Sequence, residues 1–213
     1  MKKDLMNDKF YILKIDSYQT YDWLTNKHYA KRIPSISFAF GLYDENNILQ
    51  GCLTIGKPAS PNVCKGICGE EEKDNVYELN RLVVNDGLPK NTLSFFVSKC
   101  LKMIPLMILI SYSDSGQGHH GYIYQATNWI YLGIGKPRTH ISAGDGKHPR
   151  HYKSDFTNRV EWHPKHRYLY LIGNKKQKKY WRKCIKYEIC SYPKGDNQRY
   201  DATYIPNTQG RLF

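Results

Sequence analysis

The residue types best suited to chemistry are concentrated between Ser111 and His120, directly after the apolar stretch IPLMILI. A carboxylate at the end of a buried strand can accept a proton from a bound substrate or hold it by a hydrogen bond, which makes Asp114 the candidate base. Ser111 and Ser113 would be delivered to the same substrate. Asp114 could instead cap the turn that follows the strand, and both interpretations stay open.

A glycine-rich turn follows these residues. Gly116, Gly118 and Gly121 would let the backbone come close to a ligand, because glycine has no side chain to obstruct the approach. His119 and His120 lie within this turn, and either imidazole could contact a phosphate. The sequence therefore predicts a loop that faces a ligand, followed by a helix.

Two polar residues, Asn80 and Arg81, interrupt the apolar strand pattern VYELNRLVV. Both must have partners, because an unpaired buried amide or guanidinium costs several kcal/mol. Asparagine can pair two ways with an adenine edge, and arginine forks onto phosphate or carboxylate. We favour a role for this pair at a cleft; an internal network between Glu78 and Arg81 is the alternative.

The elements that position these residues follow an α+β order with one central crossover, which predicts a single domain over residues 1–213. Strands are indicated by β-branched and aromatic runs between turn residues, and helices by apolar residues at i, i+3, i+4 and i+7. The predicted strands are ISFAFGLY, ILQGCLTIG, VYELNRLVV, PLMILISY and KHRYLYLIG. Helices are predicted within residues 16–34, in NDGLPKNTLSFFVSKCLKM, from Tyr122 to Gly133 and over KKQKKYWRKCIKYE, and a loop over PNVCKGICGEEEKDN.

Positive charge is concentrated in the last third of the chain. Of the formal net charge of +13, residues 134–213 contribute +12, with 18 Lys and Arg against 6 Asp and Glu. Aromatic residues alternate with these cations, as on surfaces that neutralise phosphates and stack on bases. We therefore expect this portion to face nucleic acid; a solvated basic face is the alternative. The predicted DNA contacts are the cations of the last helix, Lys175, Lys176, Lys178, Lys179, Arg182 and Lys183.

The six cysteines form no recognisable zinc or disulfide framework. The pairs Cys64/Cys68 and Cys184/Cys190 lack the two-residue spacing of a zinc knuckle, so we interpret all six as reduced thiols. No apolar run is long enough for a membrane helix, and the N-terminus lacks the apolar core of a signal peptide. These patterns predict a cytoplasmic protein and leave its oligomeric state open, with a dimer as one option.

Six segments in order resemble the phage Mom DNA-modification family: HYAKRIPSISFAFGLYD, ELNRLVV, PKNTLSFFVSKCLK, SYSDSGQGHHGYIYQATNWIYLG, KHRYLYLIG and the Tyr-Pro-Lys near Cys190. The resemblance covers His28 to Gly195. It implies a fold similar to the GNAT acyltransferases, in which the strand before the central helix splays from the next strand. It also implies a transferase in the bacterial host cytoplasm that adds a carbamoylmethyl group to adenine N6 in DNA and protects that DNA from restriction.

The resemblance implies a nucleic-acid substrate and a coenzyme as well. Double-stranded DNA would present an adenine flipped out of the stack, received by tyrosine rings among Tyr112, Tyr122 and Tyr124. Tyr124 lies off the apolar stripe of its predicted helix and is the preferred candidate, and for Tyr122 a place in the helix core is the alternative. Acetyl-coenzyme A would place its pyrophosphate at the start of the central helix. The usual pyrophosphate loop is replaced there by NDGLPKNT, whose candidate ligands are Gly87, Lys90, Asn91 and Thr92.

His28 and Tyr29 match a His-Tyr pair of that family. With Asp114 they could hold a metal that keeps open positions, and iron suits such nitrogen and oxygen ligands. A histidine that is simply packed, without a ligand role, is the alternative. Two other functions stay open for the whole chain: a GNAT N-acyltransferase acting on a small amine or a protein, and a nucleic-acid-binding protein without catalysis.

Overall fold

The fold is organised around a large mixed sheet, seen in a computed structural model that describes residues 9–141, 159–196, 204 and 206. Its strands are β1 (Phe10–Lys14), β2 (Phe38–Asp44), β3 (Leu49–Gly56), β4 (Val76–Val84), β5 (Met107–Asp114), β6 (Ile130–Ile134), β7 (Arg138–Ile141), β8 (Arg159–Trp162) and β9 (Lys165–Ile172). Its helices are α1 (Pro61–Cys68), α2 (Thr92–Met103), α3 (Tyr122–Ala126) and α4 (Lys175–Cys184). Seven strands form one sheet in the order β1-β2-β3-β4-β5-β9-β6, and β7 pairs with β8 in a separate ribbon.

The centre of the sheet opens between β4 and β5. These two strands run parallel, and they pair only between Val76–Glu78 of β4 and Ile108–Ile110 of β5. The other neighbouring strands in the sheet are antiparallel. Beyond this short ladder the Leu79 carbonyl has left the β5 backbone, and the Ser111 hydroxyl donates a hydrogen bond to it at 2.7 Å. The α+β class with splayed central strands is therefore confirmed.

Helices cover both faces of the sheet. Alternate residues of β5 belong to different clusters, since Leu109 packs with Phe96 and Val97 of α2, whereas Ile108 packs with Ile67 of α1 and Trp181 of α4. Successive side chains of a strand point to opposite faces, so α2 lies on one face and α1 and α4 on the other. Both faces of the central strands are buried, which explains the continuous apolar run of β5.

Several predicted elements need correction. The helix predicted from Tyr122 to Gly133 ends at Ala126, because Asn128 adopts a left-handed φ of 61° and Ile130–Ile134 pairs with β9 instead. The loop predicted over PNVCKGICGEEEKDN contains α1, which begins at Pro61 and buries Cys64, Ile67 and Cys68. Within residues 16–34 there is a 3-10 turn at Ser17–Thr20 and a π turn at Trp23–Lys27, and α4 ends at Cys184. The five predicted strands are confirmed as β2, β3, β4, β5 and β9.

All six cysteines are free thiols. Cys52 and Cys100 are buried in apolar clusters, as small hydrophobic residues would be. Within the described ranges, no helix has the length and apolar character needed to cross a membrane.

Candidate active site

The gap between β4 and β5 opens into a cavity of about 550 Å³. Its lining comes from α2 and α3, from the segment between Lys27 and Arg32, from the C-terminal half of β4 and from Lys165 at the start of β9. The lining includes Lys27, His28, Tyr29, Arg32, Glu78, Arg81, Asn91, Ser94, Tyr112, Ser113, His119, Tyr122, Tyr124 and Lys165.

Glu78 places a carboxyl group in this cavity and was not a candidate base in the sequence. It ends the short β4–β5 ladder, and no described residue hydrogen-bonds its carboxylate. Burial raises the pKa of Glu78, and the nearby cations Arg81, Lys165 and Arg32 oppose that rise. A carboxyl group with a raised pKa is suited to proton transfer near neutral pH. The sequence signal was an acidic residue within an apolar strand, which cannot show where the neighbouring strand departs.

Asn80 and Arg81 are held by the protein itself. The Asn80 side chain accepts a hydrogen bond from the Thr54 hydroxyl at 2.6 Å and donates one to the Ser35 carbonyl at 2.8 Å. Arg81 donates from Nη1 to the Asn80 carbonyl at 2.6 Å, while its Nε is buried without a hydrogen-bond partner among the described residues. Both residues line the cavity. Asn80 therefore ties the Ser35 segment to β4, and Arg81 supplies positive charge beside Glu78.

His28 and Tyr29 stack on each other in the cavity lining. Their ring centroids are 4.4 Å apart, and the backbone N–H of Ala30 donates to Nδ1 of His28 at 3.0 Å. Burial, reinforced by Arg81, lowers the pKa of His28 to about 3. Because Nδ1 is the acceptor, the neutral ring carries its proton on Nε2. Burial and Asp114 raise the pKa of Tyr29, so its hydroxyl also keeps its proton.

Asp114 has the capping role that the sequence left open. One carboxylate oxygen accepts from the Gly116 N–H at 3.0 Å, and the other lies 3.0 Å from Nζ of Lys165. Asp114 does not line the cavity, whereas Lys165 does. The carboxylate therefore orients Lys165 and acts on the cavity through that lysine.

The predicted iron site of His28, Tyr29 and Asp114 gains no support. Nδ1 of His28 and both Asp114 oxygens already have partners within the protein. Among the described residues, no group of three or more His, Cys, Asp or Glu is arranged to hold a metal ion. The donor set does not fit an iron centre, and no step below depends on one.

Ser111 and Tyr124 form a buried pair that joins the splayed strands. The Ser111 oxygen lies 2.7 Å from the Tyr124 hydroxyl in addition to its bond to Leu79. Tyr124 packs against Trp129 and Tyr168 with ring centroids 5.0 Å away. Tyr122 is 62% exposed and also lines the cavity. Tyr122 is thus not in the core, and Tyr124 is, because α3 is a single short turn and its inner face is at Tyr124.

The glycines of the turn approach protein side chains. A Cβ on Gly116 would lie 2.2 Å from the His163 ring, and one on Gly121 would lie 2.3 Å from the Tyr168 ring. The close approach at Gly116 is therefore to a protein side chain, whereas Gly121 also lines the cavity. His119 lines the cavity, with its ring 6.0 Å from that of Tyr29, and burial lowers its pKa.

The four predicted coenzyme ligands do not all reach the cavity. Asn91 lines it, with Leu93 and Ser94 of the first α2 turn, whereas Gly87, Lys90 and Thr92 do not. The backbone N–H and the hydroxyl of Thr92 both donate hydrogen bonds to the Pro89 carbonyl, at 3.2 and 2.8 Å. Gly87 has a φ of 74° with open space around its Cα.

The basic helix lies elsewhere. β9 ends at Ile172, which pairs with Met107, and α4 follows that end of the strand. The cavity lies at the other end of β9, where Lys165 pairs with Asp114. The buried Trp181 of α4 donates to Glu72 at 2.6 Å on the α1 face. None of the six predicted DNA-binding cations of α4 lines the cavity.

Comparison with known proteins places the chain in a family. Solved structures similar to it include an N-acetyltransferase from Staphylococcus aureus, with a TM-score of 0.47 and 14% identity over 77% of this chain and 99% of that one. A GNAT-family acetyltransferase from Bacillus cereus has a TM-score of 0.44 and 13% identity over 78% and 99%. The curated methylcarbamoylase Mom of Escherichia phage Mu is 29% identical over 116 residues, or 52% of this chain and 48% of that protein. The match thus spans about half the length of that relative. A sequence model of the Mom protein family matches residues 9–194, and the chain therefore belongs to that family.

Proposed function

We propose that this protein is a transferase that adds a carbamoylmethyl group to the N6 amino group of adenine in DNA. The observation that carries the proposal is the Glu78 carboxyl group, half-buried in the cavity at the splay and flanked by aromatic rings and cations. The phage Mu relative is named a methylcarbamoylase. The resemblance in sequence implied adenine N6 as the acceptor, and modification would protect the DNA from restriction.

Glu78 is the proposed proton acceptor. The N6 lone pair of adenine is delocalised into the ring, so N6 must lose a proton as its bond to the transferred carbon forms. The leaving group of the donor departs with its electron pair, and Glu78 takes the N6 proton. The cations Arg81 and Lys165 counter the effect of burial on the pKa of Glu78 and so favour its carboxylate form. Loss of such a base typically costs about 10²- to 10⁴-fold in rate.

The aromatic and imidazole groups of the cavity would hold the flipped base. The stacked rings of His28 and Tyr29 offer a flat face, and the exposed Tyr122 of α3 also lines the cavity. Since His28 is neutral with its proton on Nε2, it would donate a hydrogen bond to a ring nitrogen rather than take a proton. The cavity volume of about 550 Å³ is larger than one base requires, which leaves room for a donor.

Acetyl-coenzyme A is the proposed occupant of the α2 side. The first turn of a helix leaves N–H groups without partners inside the helix, and these suit a pyrophosphate. Asn91 and Ser94 bring that turn of α2 to the cavity. Attack of N6 on the thioester carbonyl of the coenzyme would release the coenzyme thiolate and leave an acetyl group on N6. A carbamoylmethyl product would need a nitrogen donor and a two-electron oxidant of the methyl carbon in addition, while the residues of this chain orient the two-carbon unit toward the acceptor.

Nucleoside analysis of DNA from cells that express the protein tests the proposal. Digestion and mass spectrometry should reveal a deoxyadenosine heavier by one carbamoylmethyl group in place of hydrogen, absent from cells with an empty vector. DNA without modified adenine would contradict the proposal and favour an acyltransferase for another amine or a binding protein. An acetyl group in place of the carbamoylmethyl group would keep the acceptor and overturn the transferred group.

A further inference from the structure

A DNA substrate must be held close to the cavity, and the most basic helix is not there. β9 extends for seven residue steps from Lys165 to Ile172, or about 23 Å of extended chain, and α4 begins three residues later at Lys175. α4 also packs on the α1 face through Trp181. A phosphate bound at Lys175 would therefore be remote from an adenine in the cavity. Other cations must hold the duplex near the cavity mouth.

The β7–β8 ribbon leaves the sheet beside the cavity. β6 ends where Ile134 pairs with His166, and the Gly135 N–H donates to the Lys165 carbonyl at 2.9 Å. β8 ends at Trp162, three residues before Lys165, or about 10 Å of extended chain. Pro164 accepts hydrogen bonds from Ser115, directly after Asp114. The root of the ribbon is thus fixed to the residues that form one side of the cavity.

The ribbon projects from the body of the protein. β7 and β8 pair with each other in antiparallel register, with Arg138 opposite Trp162 and Ile141 opposite Arg159. Neither strand packs substantially against another helix or strand of the described chain. Lys136, Thr139 and Trp162 are exposed. A ribbon of two strands is only marginally stable alone in water. A surface that covers it would therefore also stabilise it.

The described parts of the ribbon are strongly cationic. Residues 136–141 and 159–165 contain Lys136, Arg138, Arg159 and Lys165 against a single acidic residue, Glu161. The major groove of B-DNA is about 12 Å wide and admits a two-stranded β-ribbon, whose strands lie about 5 Å apart. The charge and the width of the ribbon both match duplex DNA.

We propose that the β7–β8 ribbon binds duplex DNA through the major groove and holds the adenine strand beside the cavity. This inference rests on the proposed function, since it assumes a duplex substrate. The ribbon enters the groove, the net positive charge of residues 136–141 and 159–165 neutralises phosphates, and Lys165 marks where the flipped base enters. α4 makes no contact with this duplex.

Two triple variants with the same loss of charge test the inference. The ribbon variant carries Lys136→Gln, Arg138→Gln and Arg159→Gln, and the control carries Lys175→Gln, Lys176→Gln and Lys178→Gln. Each phosphate contact contributes about 0.9 to the slope of log binding constant against log salt concentration. Fluorescence anisotropy on a labelled duplex should show a slope reduced by about 2 to 3 in the ribbon variant and unchanged in the control. Thermal unfolding of both variants confirms that the sheet is intact.

The outcomes separate the inference from the proposed function. A slope unchanged in the ribbon variant and reduced in the α4 variant would overturn the inference and assign DNA to α4. Equal reductions of the slope in both variants would overturn it as well, because DNA would then respond to the overall positive charge and not to one binding surface. In a third outcome, the ribbon variant shows the expected reduced salt dependence of binding while DNA from cells that express the wild type contains no modified adenine. In that case the ribbon inference stands and the proposed chemistry fails.

Discussion

The buried His28 should make the stability of the protein fall with acidity, and His28→Asn should remove that effect. The folded pKa of His28 is about 3, against 6.5 for an exposed histidine. Between these values the unfolded chain binds a proton that the folded chain does not, so the free energy of unfolding decreases as pH falls. Each pH unit contributes about 1.4 kcal/mol once the unfolded histidine is protonated, which gives about 2 kcal/mol between about pH 7.5 and about pH 5.

Urea unfolding at several pH values across this range measures the effect. Asparagine keeps an oxygen near the position of Nδ1 that can accept from the Ala30 N–H, so His28→Asn removes the titration with little loss of contact. As pH falls across this range, the wild type should lose about 2 kcal/mol more unfolding free energy than this variant. His163→Asn, at an exposed histidine, is the control and should follow the wild type. Parallel curves for wild type and His28→Asn would refute the placement of His28 as a buried neutral ring.

Three further variants or ligands test the geometry around the splay. Ser111→Ala should destabilise the protein by about 1–3 kcal/mol in urea unfolding, because the buried Leu79 carbonyl loses its partner. Tyr124→Phe should cost less stability. Equal stability of Ser111→Ala and wild type would contradict the strand-joining role of Ser111. Gly121→Ala should lower the melting temperature more than Gly87→Ala, since both have a φ of 74° but only Gly121 faces a ring. Equal losses would show that backbone strain alone matters. Acetyl-coenzyme A should bind the free protein in calorimetry, and Ser94→Glu should weaken binding about tenfold or more by repelling the pyrophosphate; modification without any coenzyme binding would remove this donor.

The sequence predicted the strands better than the short connections. Strands β2 to β5 and β9 have long apolar or β-branched runs, so their pattern matches their structure. The helix predicted after Gly121 failed because Trp129 and Ile130 fit helical spacing while the left-handed Asn128 ends the turn before them. α1 was missed because it has only eight residues, too few for its apolar positions Cys64, Ile67 and Cys68 to stand out as a helical pattern.

The sequence pointed to residues that line the cavity, such as His28, Tyr29 and Arg81, but not to Glu78. The resemblance and the strand end pointed to Asp114, and the structure gives that residue a cap and an ion pair. Glu78 reaches the cavity because β5 departs after Ile110, which no property of VYELNRLVV reveals. The distance of the basic helix from the cavity was hidden for a similar reason. Local charge is visible in the sequence, but the end of the sheet at which it lies depends on strand direction.

The most direct test of the central claim compares Glu78→Gln with Asp114→Asn in a nucleoside assay. Equal amounts of each purified protein, the wild type and the exposed control Glu188→Gln are supplied with duplex DNA and cell extract as a source of donor. Glu78→Gln should lower the rate of adenine modification by about 10²- to 10⁴-fold, because the proton acceptor is lost. Asp114→Asn should cost about tenfold or less, since it acts through Lys165, and Glu188→Gln should match the wild type. Near-normal modification by Glu78→Gln together with an inactive Asp114→Asn would contradict the assignment of Glu78 as the base.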